Sequence, residues 1–202
     1  MFTGIITKKG ILHSRSEYES DARLCFKVDD DFLAGCKEGD SIAVSGVCLT
    51  AVELEKDRFS ADVSVETLAK TTLGSWRKGR EVNLELSLRA SDRLGGHMVS
   101  GHVDGRGTLL SKTADGESWR LVFEIPQGLD KYIAIKGSVC IDGISLTVNE
   151  VHDAADRAGQ FSVCIIPHTM EVTTLGELEP GDGLNLEVDT IARYLERLLT
   201  VK

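Results

Sequence analysis

The sequence predicts an all-β protein: two tandem copies of one small, closed, six-stranded Greek-key β-barrel, followed by a single C-terminal α-helix. Three observations carry this. Met98-Val99-Ser100-Gly101-His102-Val103 retraces Met1-Phe2-Thr3-Gly4-Ile5-Ile6 at an offset of 97 residues. Within each copy, apolar and polar residues alternate in short runs separated by glycine turns, the period of half-buried antiparallel strands. Helical spacing becomes clear only at the end, where Ile191, Tyr194, Leu195, Leu198 and Leu199 fall at i, i+3, i+4, i+7 and i+8. A chain of this size hides its sheet edges by closing the sheet, hence barrels rather than open sheets.

Taken in order, Leu24, Phe26 and Val28 alternate with Cys25, Lys27 and Asp29 as a first clear strand. Asp29-Asp30-Asp31 reads as an acidic helix start leading into one or two turns at Phe32–Gly35. Ser41–Val44, Val47–Val52, Phe59–Val63 and Val82–Leu86 read as further strands, and Glu66–Leu73 as a short helix. The second copy retraces these. Leu121, Phe123 and Ile125 lie on Leu24, Phe26 and Val28, and Ser138–Thr147 lies on Ser41–Thr50. About five extra residues near Asp153–Gly159 then move the offset to 102, at which Thr67–Glu85 matches Thr169–Glu187 at nine of nineteen positions. Unrelated segments would match at about one. The domains predicted are residues 1–96, 97–188 and a helix over 189–202, with Asp189 as its cap. Nothing in the first copy corresponds to that helix. Its apolar stripe packs either on its own barrels or in an oligomer seam.

The net charge of −9, with no compensating run of lysine or arginine, argues against nucleic acid or an anionic membrane as partner. No stretch approaches a membrane span, and Lys8 and Lys9 interrupt the N-terminus too early for a signal peptide. Five scattered cysteines suggest free thiols and a cytoplasmic location. His97 and His102 are spaced unlike zinc ligands, so no metal is expected. Phosphate loops, dinucleotide fingerprints and nucleophile elbows are absent.

A duplicated barrel should carry two related pockets, for two similar ligands or one pseudo-symmetric one. The paired positions best suited to a ligand are Gly4-Ile5-Ile6 with Gly101-His102-Val103, and Cys48-Leu49-Thr50 with Ser145-Leu146-Thr147. Glycine lets a flat ligand approach the backbone, and the hydroxyls and thiol give directional hydrogen bonds. The pockets differ where His102 faces Ile5 and where Ser145 faces Cys48. An imidazole moves protons near neutral pH, and His102 sits in a glycine-rich loop beside a second histidine. Lone cysteines are more often core, and His13 and His152 read as structural. Asp104–Gly107 reads as a turn, Glu85 and Glu187 as a poor acid–base pair, and Lys136 as a group able to reach an anionic or carbonyl-rich ligand.

The opening Met-Phe-Thr-Gly-Ile, the Gly-Val-Cys-Leu-Thr strand, the Gly95–Gly105 junction, the Lys136–Val148 run and the paired Thr-Thr-Leu-Gly segments together closely resemble the riboflavin synthase α-subunit family, a lumazine-binding two-barrel family. The likeness spans essentially the whole chain. Ser45, Ala51 and the long Asp153–Gly159 loop are small departures. The resemblance implies a homotrimer bundled by the C-terminal helices, with association with lumazine synthase left open. It implies a transferase reaction between two molecules of 6,7-dimethyl-8-ribityllumazine, giving riboflavin and 5-amino-6-ribitylamino-uracil by four-carbon transfer, without a cofactor.

By that likeness the first-barrel pocket comprises Gly4, Ile5, Ile6, Cys48, Leu49, Thr50, Asp62, Val63, Ser64, Val65, Glu66 and Thr67. The second comprises Gly101, His102, Val103, Ser145, Leu146, Thr147, Cys164, Ile165, Ile166, Pro167, His168 and Thr169, with Lys136 supplied by a neighbouring subunit. His102 is the expected proton-transfer group. Cys48, Ser145 and Ser41, with Thr50 and Thr147, are the expected hydrogen-bonding or nucleophilic partners. Whether Cys48 or Ser145 attacks is not assigned. The rival reading is a lumazine-binding antenna protein without catalysis, whose second pocket has lost the polar residues that Ser145, Thr147, His102 and His168 keep here.

Overall fold

The computed structural model describes residues 1–29, 31–152 and 159–200. The first barrel contains β1 (Lys8–Tyr18), β2 (Asp21–Lys27), β3 (Ser41–Val44), β4 (Val47–Leu54), β5 (Arg58–Val63), α1 (Val65–Lys70) and β6 (Glu81–Leu86). Its strands close in the order β1-β2-β5-β4-β3-β6, all neighbours antiparallel. The second contains β7 (Gly105–Asp115), β8 (Ser118–Glu124), β9 (Ser138–Ile141), β10 (Ile144–His152), β11 (Gln160–Ile165), α2 (Pro167–Val172) and β12 (Gly183–Val188). It closes in the same cyclic order. Most of the long loop expected near Asp153–Gly159 lies outside the described residues.

Period-2 alternation builds both cores. On β2 the buried side chains are Ala22, Leu24 and Phe26; on β5 the buried apolar ones are Phe59, Ala61 and Val63, with Ser60 buried between the first two. Phe26 and Phe59 face each other in register with ring centroids 5.2 Å apart, and their repeat partners Phe123 and Phe161 lie 5.4 Å apart at nearly the same tilt. Each buried ring contributes about 1.5–3 kcal/mol of transfer free energy, and its duplicated geometry shows that the two cores pack alike.

Three local expectations are corrected. The acidic stretch at Asp29 opens only a turn, closed by Phe32 N–H donating to Asp29 O at 3.1 Å. The helix expected over Glu66–Leu73 stops at Lys70. Thr71 is extended (φ −118°, ψ 173°) and its hydroxyl donates to Thr67 O at 2.6 Å while accepting from Leu73 N at 3.2 Å. Thr71 N–H keeps its helical bond to Thr67 O at 3.1 Å, but the Leu73 N–H is taken by the Thr71 hydroxyl, and a 3₁₀ turn (Thr72–Ser75) follows. Gly105 and Arg106 are not a turn but the first residues of β7.

The barrels meet across a pseudo-twofold axis. Phe2 pairs with Val99, its own repeat equivalent, through N–H···O bonds of 2.7 and 3.1 Å. Gly46 packs on its equivalent Gly143, and Ala43 and Cys140, also equivalents, share one small buried cluster with Phe2 and Val99. Equivalent residues touch in this way only where a twofold axis passes between them. Beside the axis Asn83 donates to Asp142 O (2.9 Å) and accepts from Thr174 N (2.8 Å). Asn185 does the same with Ser45 O (2.9 Å) and Thr72 N (2.8 Å). After β12, α3 (Thr190–Thr200) starts where Asp189 caps the Ile191 N–H at 2.9 Å.

Candidate active site

Two short arms, Met1–Thr7 and Met98–Asp104, lead into β1 and β7, and each crosses to the opposite barrel. Gly4 O accepts from Ser145 N at 2.8 Å, and Gly101 O accepts from Cys48 N at 2.9 Å. Ile6 packs against the second core and Val103 against the first. A buried carboxylate holds each arm. Glu85 accepts from Thr3 N (2.6 Å), Thr3 Oγ1 (2.6 Å) and Gly4 N (3.0 Å); Glu187 accepts from Ser100 N (2.8 Å), Ser100 Oγ (2.6 Å) and Gly101 N (2.9 Å). Burial pushes the Glu85 carboxyl up, with these three donors opposing the shift. Gly4 (φ +74°) and Gly101 (φ +80°) are irreplaceable sterically: a Cβ on either would lie 2.6 Å from the Cβ of Ser145 or Cys48.

The crossing corrects the grouping expected from the sequence. Gly4–Ile6 belongs with the second barrel's Ser145–Thr147, and Gly101–Val103 with the first barrel's Cys48–Thr50. Pleating then decides which side chains a ligand can reach. Cys48 and Thr50 on β4, and Ser145 and Thr147 on β10, turn away from the cores. Leu49, Leu146, Val63 and Ile165 are buried in them, so these four can offer a ligand only backbone. Ser41 sits opposite Thr50 on the neighbouring strand.

The segment from the end of β5 into the first turn of α1 exposes Asp62, Ser64, Val65 and Glu66, with Thr67 half-buried. Its equivalent exposes Cys164, Ile166, Pro167 and His168, with Thr169 half-buried. Asp62 is not free: Arg23 grips it through two bonds of 2.6 and 2.9 Å and holds its carboxyl below the usual range. Ser64 caps α1 by accepting from Thr67 N at 3.3 Å, whereas its counterpart Ile166 cannot cap and Pro167 starts α2 instead.

The half-sites differ most at an imidazole the sequence reading passed over. His97 Nδ1 lies 2.7 Å from Ser145 Oγ, and His97 N–H donates to Thr3 O at 3.2 Å, which ties the dyad to the arm. Burial lowers the His97 pKa, with Asp189 and Glu187 opposing it, so the ring is neutral at pH 7 and suited to accept from the serine hydroxyl. Gly96 makes the approach possible: a Cβ there would stand 2.2 Å from Thr3 O and 2.8 Å from Ser145 Oγ. Residues 95–97 directly precede the repeat's start at Met98, and among the described residues no histidine is hydrogen-bonded to Cys48 as His97 is to Ser145.

His102 is exposed, and its carbonyl accepts from Arg193 of α3 at 3.0 Å; the same guanidinium reaches Asp104 at 2.7 Å. Lys136 is exposed in a left-handed conformation (φ +66°) where the first copy has Gly39 (φ +92°). A lysine kept at a glycine's backbone geometry stores on the order of 1 kcal/mol of strain. Thr3, Ile5 and Thr7 of the first arm line a groove of about 550 Å³ with Lys8, Arg89 and Arg93, a size suited to a fused-ring ligand.

A family model for the lumazine binding domain matches the chain twice, over residues 3–87 and 100–189. The chain is 44% identical over 201 residues to riboflavin synthase of Mycobacterium tuberculosis, covering 98% of each chain. It is 41% identical to riboflavin synthase of Photobacterium phosphoreum, covering all of this chain and 90% of that one, and 36% identical to that of Saccharomyces cerevisiae, covering all of this chain and 88% of that one. Among solved structures, LumP complexed with riboflavin is similar at TM-score 0.82 and 26% identity, covering 93% of this chain and 99% of that one.

Proposed function

The chain belongs to the lumazine-binding family of the riboflavin synthases, and from that membership we propose that it is a transferase of riboflavin biosynthesis. Two molecules of 6,7-dimethyl-8-ribityllumazine react together. One passes a four-carbon unit to the other, giving riboflavin and 5-amino-6-ribitylamino-uracil. The atoms of two substrate molecules equal those of the two products, so the transfer is redox-neutral overall. The protein's tasks are to hold two flat rings in register, worth up to roughly 7–11 kcal/mol, and to move protons.

The observation that carries this reading is the pair of half-sites on one scaffold, alike in their arm and strand but different in their acid–base groups. A reaction that turns one copy of a compound into donor and another into acceptor needs that combination. His97 accepts the Ser145 proton, leaving Ser145 Oγ as the hydrogen-bonding or nucleophilic partner of one ring. His102, exposed on the other arm, relays protons at the second ring beside Cys48, while Thr50, Thr147 and Ser41 hydrogen-bond to polar ring edges. Lys136, supplied by a neighbouring subunit, presents its ammonium to a ring carbonyl.

The reading includes a homotrimer, with the first half-site of one chain set against the second of the next. Support comes from α3, whose apolar stripe of Ile191, Tyr194, Leu195, Leu198 and Leu199 is 55–84% exposed. Arg193, through Asp104, and Glu196, through Lys131 and Tyr132, dock the opposite face on the second barrel. A cytoplasmic location fits the acidic chain and its five free thiols.

The test is turnover of 6,7-dimethyl-8-ribityllumazine by the purified protein with a chelator present, both products being quantified. Equal amounts of riboflavin and the pyrimidine are expected. Tight ligand binding with no riboflavin formed would replace the enzyme by a non-catalytic binding protein.

A further inference from the structure

The duplication supplies an internal control for a second cleft that shares no residue with the candidate active site. Beside β1, Lys9 is clamped by two carboxylates, Glu81 at 2.8 Å and Glu177 at 2.7 Å. The repeat relates Lys9 to Arg106, Glu81 to Gly183 and Ser75 to Glu177. Register confirms it: Lys9 pairs with Asn83 and Ile11 with Glu81, while Arg106 pairs with Asn185 and Thr108 with Gly183. Arg106 has therefore lost both members of the clamp, one replaced by glycine and the other by serine.

It has also gained cations. Arg77, Lys78 and Arg80 join Arg106 around a cleft of about 480 Å³, whose floor and walls include Thr72, Ser75 and Gly183. Asp182 is the one carboxylate lining it, and that side chain accepts from Glu179 N at 2.9 Å. Among the described residues Arg77, Lys78 and Arg106 form no ion pair. The Arg80 charge acts on the buried Asp142. Four cations against one carboxylate gather here on a chain whose net charge is −9. Like charges held together without counter-charge repel, and an added anion relieves this. Three guanidinium forks favour tetrahedral oxyanions with several acceptor oxygens.

We propose that this cleft binds a phosphoanion, a phosphate ester or pyrophosphate carrying at least two negative charges, in the place of the carboxylate clamp that its symmetry mate holds internally. The lumazine substrate has no phosphate, so the site takes a different ligand from the catalytic one.

The experiment is calorimetric titration of the whole protein with sodium pyrophosphate at low ionic strength, with inorganic phosphate and citrate in parallel. One saturable pyrophosphate site per chain is expected. Arg106→Ala should weaken it about tenfold or more, as loss of a charge-assisted fork does, and Arg77→Ala with Arg106→Ala should abolish it. Ser75→Glu with Gly183→Glu should rebuild the internal clamp and remove binding while keeping every cation. A Cβ at Gly183 meets only ordinary contacts, Gly107 O and Thr72 Cγ2 at 3.9 Å, so the variant can fold. Lys9→Gln, at the mate site, should leave binding unchanged. Absence of a saturable site in the parent protein, or pyrophosphate binding that survives the rebuilt clamp, would overturn the proposal. Citrate binding tighter than pyrophosphate would overturn the ligand class.

Discussion

His97 is the residue at which the half-sites part company, and its chemistry is testable apart from binding. Replacing a general base typically costs roughly 100- to 10,000-fold in rate, so His97→Gln is expected to lower kcat by that order while riboflavin affinity changes little. The lowered pKa fixes the sign of the pH effect. The neutral, proton-accepting ring persists below the usual histidine value of about 6.5, and kcat falls only as pH drops through the lowered value. This acid limb should vanish in His97→Gln. A limb that persists there and disappears in His102→Gln would move the proton-accepting role to His102. Cys48→Ser copies what the second half-site already carries at Ser145 and should cost less than His97→Gln. Abolished turnover at unchanged affinity in Cys48→Ser would make its thiolate the nucleophile.

Among the elements, the two arms and α3 bring the site together. Glu187→Gln leaves one amide oxygen for three donors and turns an NH₂ toward them, a loss of about 1–3 kcal/mol in a buried network. The Gly101 arm should then loosen from Cys48. A lower melting temperature with a raised KM is expected, and an unchanged KM would show that the arm needs no clamp. Deleting the residues after Asp189 should abolish the trimer in a solution mass measurement; a trimer that survives would put the stripe against its own subunit. Five strands of each copy and the duplication were legible because period-2 burial and repeated identities are local signals; β1 and β7 were not, since Leu12 and Leu109 are the only large apolar side chains buried on them. The arm exchange was not: an alignment of copies says that Gly4 and Gly101 are equivalent, not which strand each touches. For the same reason Glu85 and Glu187 were recognised as a pair without their partners. His97 was missed because it lies just before the repeat begins, where no comparison between copies singles it out.

Over the whole molecule, the pseudo-twofold axis makes the barrels similar, and the departures from it carry chemistry. At the barrel interface the first copy has Ser45 (φ +41°) and the second Asp142 (φ +45°). The Asp142 carboxylate accepts from Asn185 N at 2.8 Å, and burial pushes its pKa up to about 7. Its folded value lies above its unfolded one, so its stabilising contribution is full below about pH 3.9 and lost as pH rises through 7, on the order of 4 kcal/mol in all. Asp142→Asn keeps an acceptor and tolerates the left-handed backbone. Denaturant unfolding at pH 5.5 and pH 8.5 should show the variant gaining stability over the parent at the higher pH; equal pH dependence would mean that Asp142 does not titrate on unfolding. The reaction between two copies of one compound is tested most directly by isotope distribution. Substrate labelled throughout its four-carbon unit is mixed in equal amount with unlabelled substrate, and the riboflavin formed is weighed by mass spectrometry. Four-carbon transfer between independently drawn copies predicts unlabelled, half-labelled and fully labelled riboflavin in a ratio of one to two to one. Riboflavin without the half-labelled species, or no riboflavin at all, would contradict it.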